Sequence, residues 1–192
     1  GRVWDKTGSG FYRKEKSRSG SEIFTLDPVT MEYKPRQKPR FPVFDQAKAL
    51  DDLKMRLSLL CQAEGKVGQF YRRFHEMLFC YVAHRIPEIA DHLYEIDEAI
   101  TAGFGWELGP FEIWDALDVK ATVDRMRSGG LSLPAWVETM LDGGHPTFYR
   151  LENGRRLYYD LTVGDYRPIP GTEGIIVLGA YREQTVWANP AC

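Results

Sequence analysis

Gly103-Phe104-Gly105-Trp106-Glu107-Leu108-Gly109-Pro110-Phe111-Glu112-Ile113-Trp114-Asp115 is the stretch around which the chain is organised. Three glycines and a proline in so short a run do not suit a helix interior, because glycine is conformationally free and proline lacks a donor N–H. A sharp turn is expected, with Phe104, Trp106 and Phe111 closing over it. Pro110 suits the first turn of a new helix, and Glu112 suits the positive end of that helix. The aromatic set Phe104, Trp106, Phe111 and Trp114 reads as core around the turn, or as the lining of a pocket or interface.

Working outward, Ile96-Asp97-Glu98-Ala99-Ile100 precedes the turn. Together the two runs resemble the C-terminal helical domain of 3-hydroxyacyl-CoA dehydrogenases. That family reads as an Asp, two residues, Ala-Met, a Gly-x-Gly turn, then Gly-Pro-Phe-Glu and an Asp. Near the start, Lys6-Thr7-Gly8-Ser9-Gly10-Phe11-Tyr12 is similar to the run that closes the same domain.

Helices are expected on both sides of the turn. Asp45 is the expected cap of a first helix with Leu50, Leu53, Leu57 and Leu60 on one face. A second sets Val67, Phe70, Tyr71, Phe74, Leu78 and Val82 on one face. Pro87 is expected to start a third, with Ile89, Leu93, Ile96 and Ile100 inward. Pro110 opens a fourth, and 119–127 and 134–141 read as a fifth and sixth, ended by Gly129-Gly130 and Gly143-Gly144. Asp118 stands where the resemblance places a helix-ending glycine.

The ends read as β structure. Glu22 to Leu26 and Glu32 to Lys34 are joined through Asp27-Pro28, good turn chemistry. Residues 147–151 and 156–161 flank Asn153-Gly154, a hairpin signal, with further strands expected over 166–169 and 174–181. The two β segments match in order: Phe11-Tyr12-Arg13 with Phe148-Tyr149-Arg150, Leu26-Asp27 with Tyr159-Asp160, and Glu32-Tyr33-Lys34-Pro35 with Asp165-Tyr166-Arg167-Pro168. A tandem duplication is expected, with chance similarity of two short hairpins as the alternative.

The expected class is therefore mainly α: a helical domain like that of the dehydrogenases, flanked by small antiparallel β meanders. Residues 1–44 read as the end of a preceding helical domain plus meander and linker. Residues 45–144 are the helical domain, and 145–192 are a meander and linker towards a following domain. The opening Gly1-Arg2-Val3-Trp4-Asp5 reads as a cut inside a longer protein.

Composition limits the function classes. The 192 residues carry a net charge of -2, so no global attraction to nucleic acid is expected. No apolar run is long enough for a bilayer span. Cys61, Cys80 and Cys192 have neither zinc-ligand spacing nor the look of a disulfide framework, which suits a reduced, cytoplasmic setting. The basic runs 13–18 and 34–40 read as solvated linker, with nucleic acid or the CoA phosphate as alternatives.

Catalytic groups are hard to find. The 103–109 run has one residue too many for G-x-G-x-x-G and follows a helix rather than a strand. His75-Glu76 lacks the second His of a zinc helix, because Phe79 takes its place. His84, Glu88 and His92 are spaced for a metal, but Pro87 breaks the face. Glu112 and Asp115 read as capping or solvated residues rather than an acid–base pair. No catalytic, cofactor-binding or metal-binding residue is assigned.

The resemblance implies more. The family's His–Glu acid–base pair lies in a nucleotide-binding half that has no counterpart here. Its Asn, in a Gly-Phe-(apolar)-(apolar)-Asn-Arg run, corresponds to Arg72 in Gly68-Gln69-Phe70-Tyr71-Arg72-Arg73, so this copy reads as catalytically degenerate. The implied parent is a bacterial fusion of 3-hydroxyacyl-CoA dehydrogenase and enoyl-CoA hydratase of fatty-acid β-oxidation, an NAD-dependent oxidoreductase. Val186-Trp187-Ala188-Asn189-Pro190 looks like the lead into the hydratase. This fragment is expected to be inactive, to bind no NAD, and to serve as a packing or interface domain. Its expected partners are other domains of the same polypeptide, acyl-CoA in the parent, and a second copy as a homodimer. The alternative is an acyl-CoA- or partner-binding helical module.

Overall fold

The computed structural model describes residues 10–17 and 20–177. The strand expected over 174–181 is absent over 174–177, and the rest of it, with the 186–190 and 6–9 runs, lies outside the described residues. The described residues form seven helices and two three-stranded antiparallel sheets, a mainly α architecture. The chain divides after Phe41 into two units.

The first unit is a meander of β1 (Tyr12–Ser17), β2 (Gly20–Leu26) and β3 (Tyr33–Pro35), in sheet order β1-β2-β3. Asp27 makes the second turn, accepting from the N–H groups of Val29 and Thr30 at 2.9 and 3.1 Å.

The second unit holds α1 (Pro42–Lys48), α2 (Leu53–Gln62), α3 (Gly65–His84), α4 (Leu93–Phe104), α5 (Pro110–Ala116), α6 (Val119–Ser128) and α7 (Ala135–Asp142). It ends in a second meander, β4 (Tyr149–Glu152), β5 (Arg155–Asp160) and β6 (Asp165–Pro168). The β4–β5 turn is Asn153-Gly154, both at positive φ (51° and 75°), as a two-residue hairpin requires. Helices and meander share one core, in which Phe79, Leu93, Phe111, Trp114, Met126, Met140 and Phe148 have no exposure.

Several local expectations are corrected. The first helix is two helices, and its cap is Asp52, which accepts from the Met55 N–H at 2.8 Å. Asp45 lies inside α1, which Pro42 opens. On α3 the buried side carries Val67, His75, Phe79 and Val82, while Phe70 and Phe74 are exposed. The apolar periodicity there is two-sided, and the sequence does not say which stripe is covered. Pro87 begins no helix: α4 starts at Leu93, and Ile89 is exposed. Gly103 is still helical, and the turn begins at Gly105, the left-handed C-cap at φ 67°. Asp118 takes the positive φ (65°) that the glycine position demands, and its carboxylate caps α6 through the Ala121 N–H at 3.0 Å.

Candidate functional site

The turn between α4 and α5 is held by three carboxylates. Asp97, on the buried side of α4, accepts from the N–H groups of Phe111 (2.9 Å) and Glu112 (3.1 Å) and from the Tyr149 hydroxyl (2.9 Å). Glu112 reaches back to the Gly109 N–H at 2.7 Å and pairs with Arg156 at 2.7 Å. Asp115 accepts from the N–H groups of Phe148 (2.7 Å) and Tyr149 (2.9 Å), where β4 begins. The free donors at the start of α5 are thus consumed by acid side chains of the same chain. Gly109 is the close approach: a Cβ there would overlap the Asp97 side chain.

The aromatic set divides. Phe111 and Trp114 are fully buried. Trp114 stacks on Phe79 with centroids 4.8 Å apart and planes 4° from parallel, and both Phe111 and Trp114 contact Phe148 at 5.0 Å. Phe104 and Trp106 are exposed on the outer side of the turn, at 74% and 38%.

Beside the turn lies a cleft of about 570 Å³, whose lining includes Lys54, Glu112, Asp115, Thr147, Arg150 and Arg156. Arg156 lies 4.0 Å over the Tyr149 ring and Arg150 pairs with Glu152 at 2.9 Å. Burial pushes the carboxyls of Asp97 and Asp115 up to about 7, against the hydrogen bonds that pull them down. Burial and the Asp97 charge push the Tyr149 hydroxyl far up, so it stays a donor. Lys54 carried no signal in the sequence, since one lysine at a helix start is unremarkable there.

The other candidates are spent structurally. Arg72 donates to the carbonyls of Cys61 and Ala63 (3.3 Å to the latter), closing the C-terminal end of α2. Gly68 allows this corner, since a Cβ would overlap the Ala63 carbonyl. His75 is buried, which lowers its pKa, and its Nδ1 is bonded to the Tyr71 carbonyl at 2.7 Å. Cys61 Sγ lies 3.8 Å from that ring, but burial pushes the thiol up to about 11, far from a reactive thiolate. His84 Nδ1 is bonded to the Cys80 carbonyl at 2.8 Å. No cluster of three metal-ligating side chains occurs among the described residues.

A second network lies where the meander meets α4. The Tyr158 hydroxyl sits 3.3 Å from His92 Nδ1 and donates to Asp160 at 3.2 Å. Burial pushes the Asp160 carboxyl up, but the Thr162 hydroxyl and N–H, Tyr158 and Arg167 outweigh it and hold the group at about 2.

The chain is 38% identical over 183 residues, 95% of its length, to a probable 3-hydroxyacyl-CoA dehydrogenase of Bacillus subtilis. It is a relative of the 3-hydroxyacyl-CoA dehydrogenases. The match covers 22% of the Bacillus protein, so the chain spans about a fifth of that relative's length. Shorter matches fall in proteins named as fatty acid oxidation complex trifunctional enzymes. One, of Rickettsia felis, is 30% identical over 30% of this chain and 8% of that protein. One of Rickettsia prowazekii is 24% identical over 56% of this chain and 14% of that protein. No family model matches, and no solved structure matches. Among the described residues, no helix is long and apolar enough to cross a membrane.

Proposed function

We propose that this chain is the non-catalytic helical region of an NAD-dependent 3-hydroxyacyl-CoA dehydrogenase of fatty-acid β-oxidation, with the fold of that family's C-terminal helical domain. One observation carries the reading: Asp97, Glu112 and Asp115 are all engaged in holding α5 against α4 and β4. Groups committed to backbone N–H donors are not poised as acid and base for a substrate. The same holds for Arg72, which stands where the family uses a catalytic amide and closes α2 instead.

The cofactor fits this region poorly. Both described sheets are antiparallel meanders, and the α5 N–H groups that could cradle a pyrophosphate already bond to Asp97. In this reading NAD and the oxidation of the 3-hydroxyacyl-CoA belong to other parts of a cytoplasmic parent polypeptide. The reading takes 1–44 as the close of a preceding helical domain, 45–144 as the helical domain, and 145–192 as meander and linker.

The packing role draws support from α3. Phe70, Phe74, Met77 and Tyr81 recur every three or four residues and are 46–64% exposed, with Phe70 and Phe74 stacked at 6.2 Å. Such a stripe suits a contact with another domain or a second copy.

A second reading keeps a ligand role. Phe104, the last residue of α4, and Trp106, in the turn after it, are exposed, and the cleft beside Lys54 is partly cationic, which suits an acyl-CoA or partner. Calorimetric titration of the chain with acetoacetyl-CoA, and with NAD as a control, separates the two. Absence of heat with both, from a folded sample, supports the packing role. Saturable thioester binding supports the second reading, and NADH formation from a 3-hydroxyacyl-CoA would overturn the first.

A further inference from the structure

Asn153 and Gly154 form the tip of the β4–β5 hairpin, both at positive φ (51° and 75°). An asparagine carboxamide is open to attack by the backbone nitrogen of the next residue, and a following glycine puts no Cβ in the way. The reaction needs both groups uncommitted. Asn153 is exposed, and its carboxamide makes no hydrogen bond among the described residues. The Gly154 N–H likewise meets no acceptor among them, although its carbonyl accepts from the Val177 N–H at 2.9 Å. Gly154 is buried, so base and water arrive over the exposed Asn153 side chain.

Two other positions set the contrast. Asn189, the other asparagine of the chain, precedes Pro190, whose nitrogen has no hydrogen to give up. Asp142-Gly143 would close the same ring with loss of water, but the Gly143 N–H is held by the Thr139 carbonyl at 3.0 Å at the end of α7.

We infer that Asn153-Gly154 is a site of spontaneous deamidation, which converts the hairpin tip to an aspartate or isoaspartate link. The Gly154 nitrogen bonds to Asn153 Cγ and gives its proton to base; the Cγ–Nδ2 bond breaks and ammonia leaves. Water then opens the cyclic imide. Cleavage at Cγ restores the backbone and leaves aspartate. Cleavage at the Asn153 carbonyl carbon leaves isoaspartate, with the chain running through Cβ and Cγ. Water is consumed and ammonia released, with no oxidant or reductant. Aspartate adds a negative charge beside Glu152. Isoaspartate also lengthens the turn by one backbone atom, so Glu152 no longer faces Arg155 in register. That strand pairing presents Tyr149 to Asp97 and Arg156 to Glu112, so isoaspartate loosens the grip of the meander on the α4–α5 turn.

Two measurements test this. The full chain is held in mildly alkaline buffer beside a synthetic peptide of residues 149–158. Both are mapped by mass spectrometry, with electron-transfer fragmentation separating isoaspartate from aspartate. Asn153 in the folded chain is expected to convert within about tenfold of the peptide's rate, since a hairpin tip opens at little cost. Asp142 should remain aspartate. Conversion of the peptide alone, or isomerisation at Asp142 ahead of Asn153, overturns the assignment. Amide hydrogen exchange then compares the purified isoaspartate form with Asn153→Asp, which carries the charge on an unaltered backbone. The Leu151 and Arg156 amides are expected to exchange about tenfold faster or more in the isoaspartate form, and at the unmodified rate in Asn153→Asp. Equal exchange in all three proteins, or equal acceleration in both altered ones, overturns the loosening by turn length.

Discussion

The Tyr149 hydroxyl donates to the Asp97 carboxylate at 2.9 Å across 52 residues of sequence, tying the second meander to the helix before the glycine turn. Tyr149→Phe removes that donor and leaves a buried carboxylate with one fewer partner. The expected loss is about 1–3 kcal/mol in urea unfolding, with secondary structure retained by circular dichroism.

Gly103 and Gly109 lie in the same motif and should respond oppositely to alanine. Nothing lies within 4 Å of a Cβ at Gly103, which is helical, so Gly103→Ala should stabilise by about 0.5–1 kcal/mol. At Gly109 the Cβ would overlap Asp97, and Gly109→Ala should destabilise by about 3 kcal/mol or more. Thermal melts of the two variants check the contrast.

Asp97 and Asp115 give the second unit a pH dependence of definite sign. Their folded values, about 7, lie above the ordinary 3.8. The folded state therefore binds more protons than the unfolded one between those limits. The stability they contribute is fully present below about pH 4 and is lost as the pH rises through about 7. Asp160, held at about 2, acts oppositely, and its contribution falls away only as the pH drops from about 4 to 2. Urea unfolding from pH 4 to 8 should show falling stability, and Asp97→Asn should flatten that slope while lowering stability throughout.

An amide at position 72 should weaken the fold and confer no dehydrogenase chemistry. Arg72→Asn removes the donors that reach the Cys61 and Ala63 carbonyls at the end of α2. A loss of about 1–3 kcal/mol is expected, with no NADH produced from a 3-hydroxyacyl-CoA.

Much of the fold is legible in the sequence. Asn153-Gly154, Gly129-Gly130 and Pro110 mark local events, where backbone chemistry alone decides the outcome. The repeat was legible because matched register needs matched residues. The covered side of α3 was not, because Phe70 and Phe74 carry the same apolar signal as Phe79, and only tertiary packing distinguishes them. The bond from Tyr149 to Asp97 was equally hidden. A buried acid and a distant tyrosine leave no pattern in sequence, although Asp97 stood inside the motif that carries the resemblance.

The parallel stack of Phe79 on Trp114 sets that indole optically apart from Trp106. Trp114, shielded from solvent, should emit at short wavelength and resist acrylamide; Trp106, at 38% exposure, should emit to the red and be quenched. With Trp4, Trp136 and Trp187 replaced by phenylalanine, the red component reports what rests on the glycine turn, and the blue component serves as an internal standard for the integrity of the core.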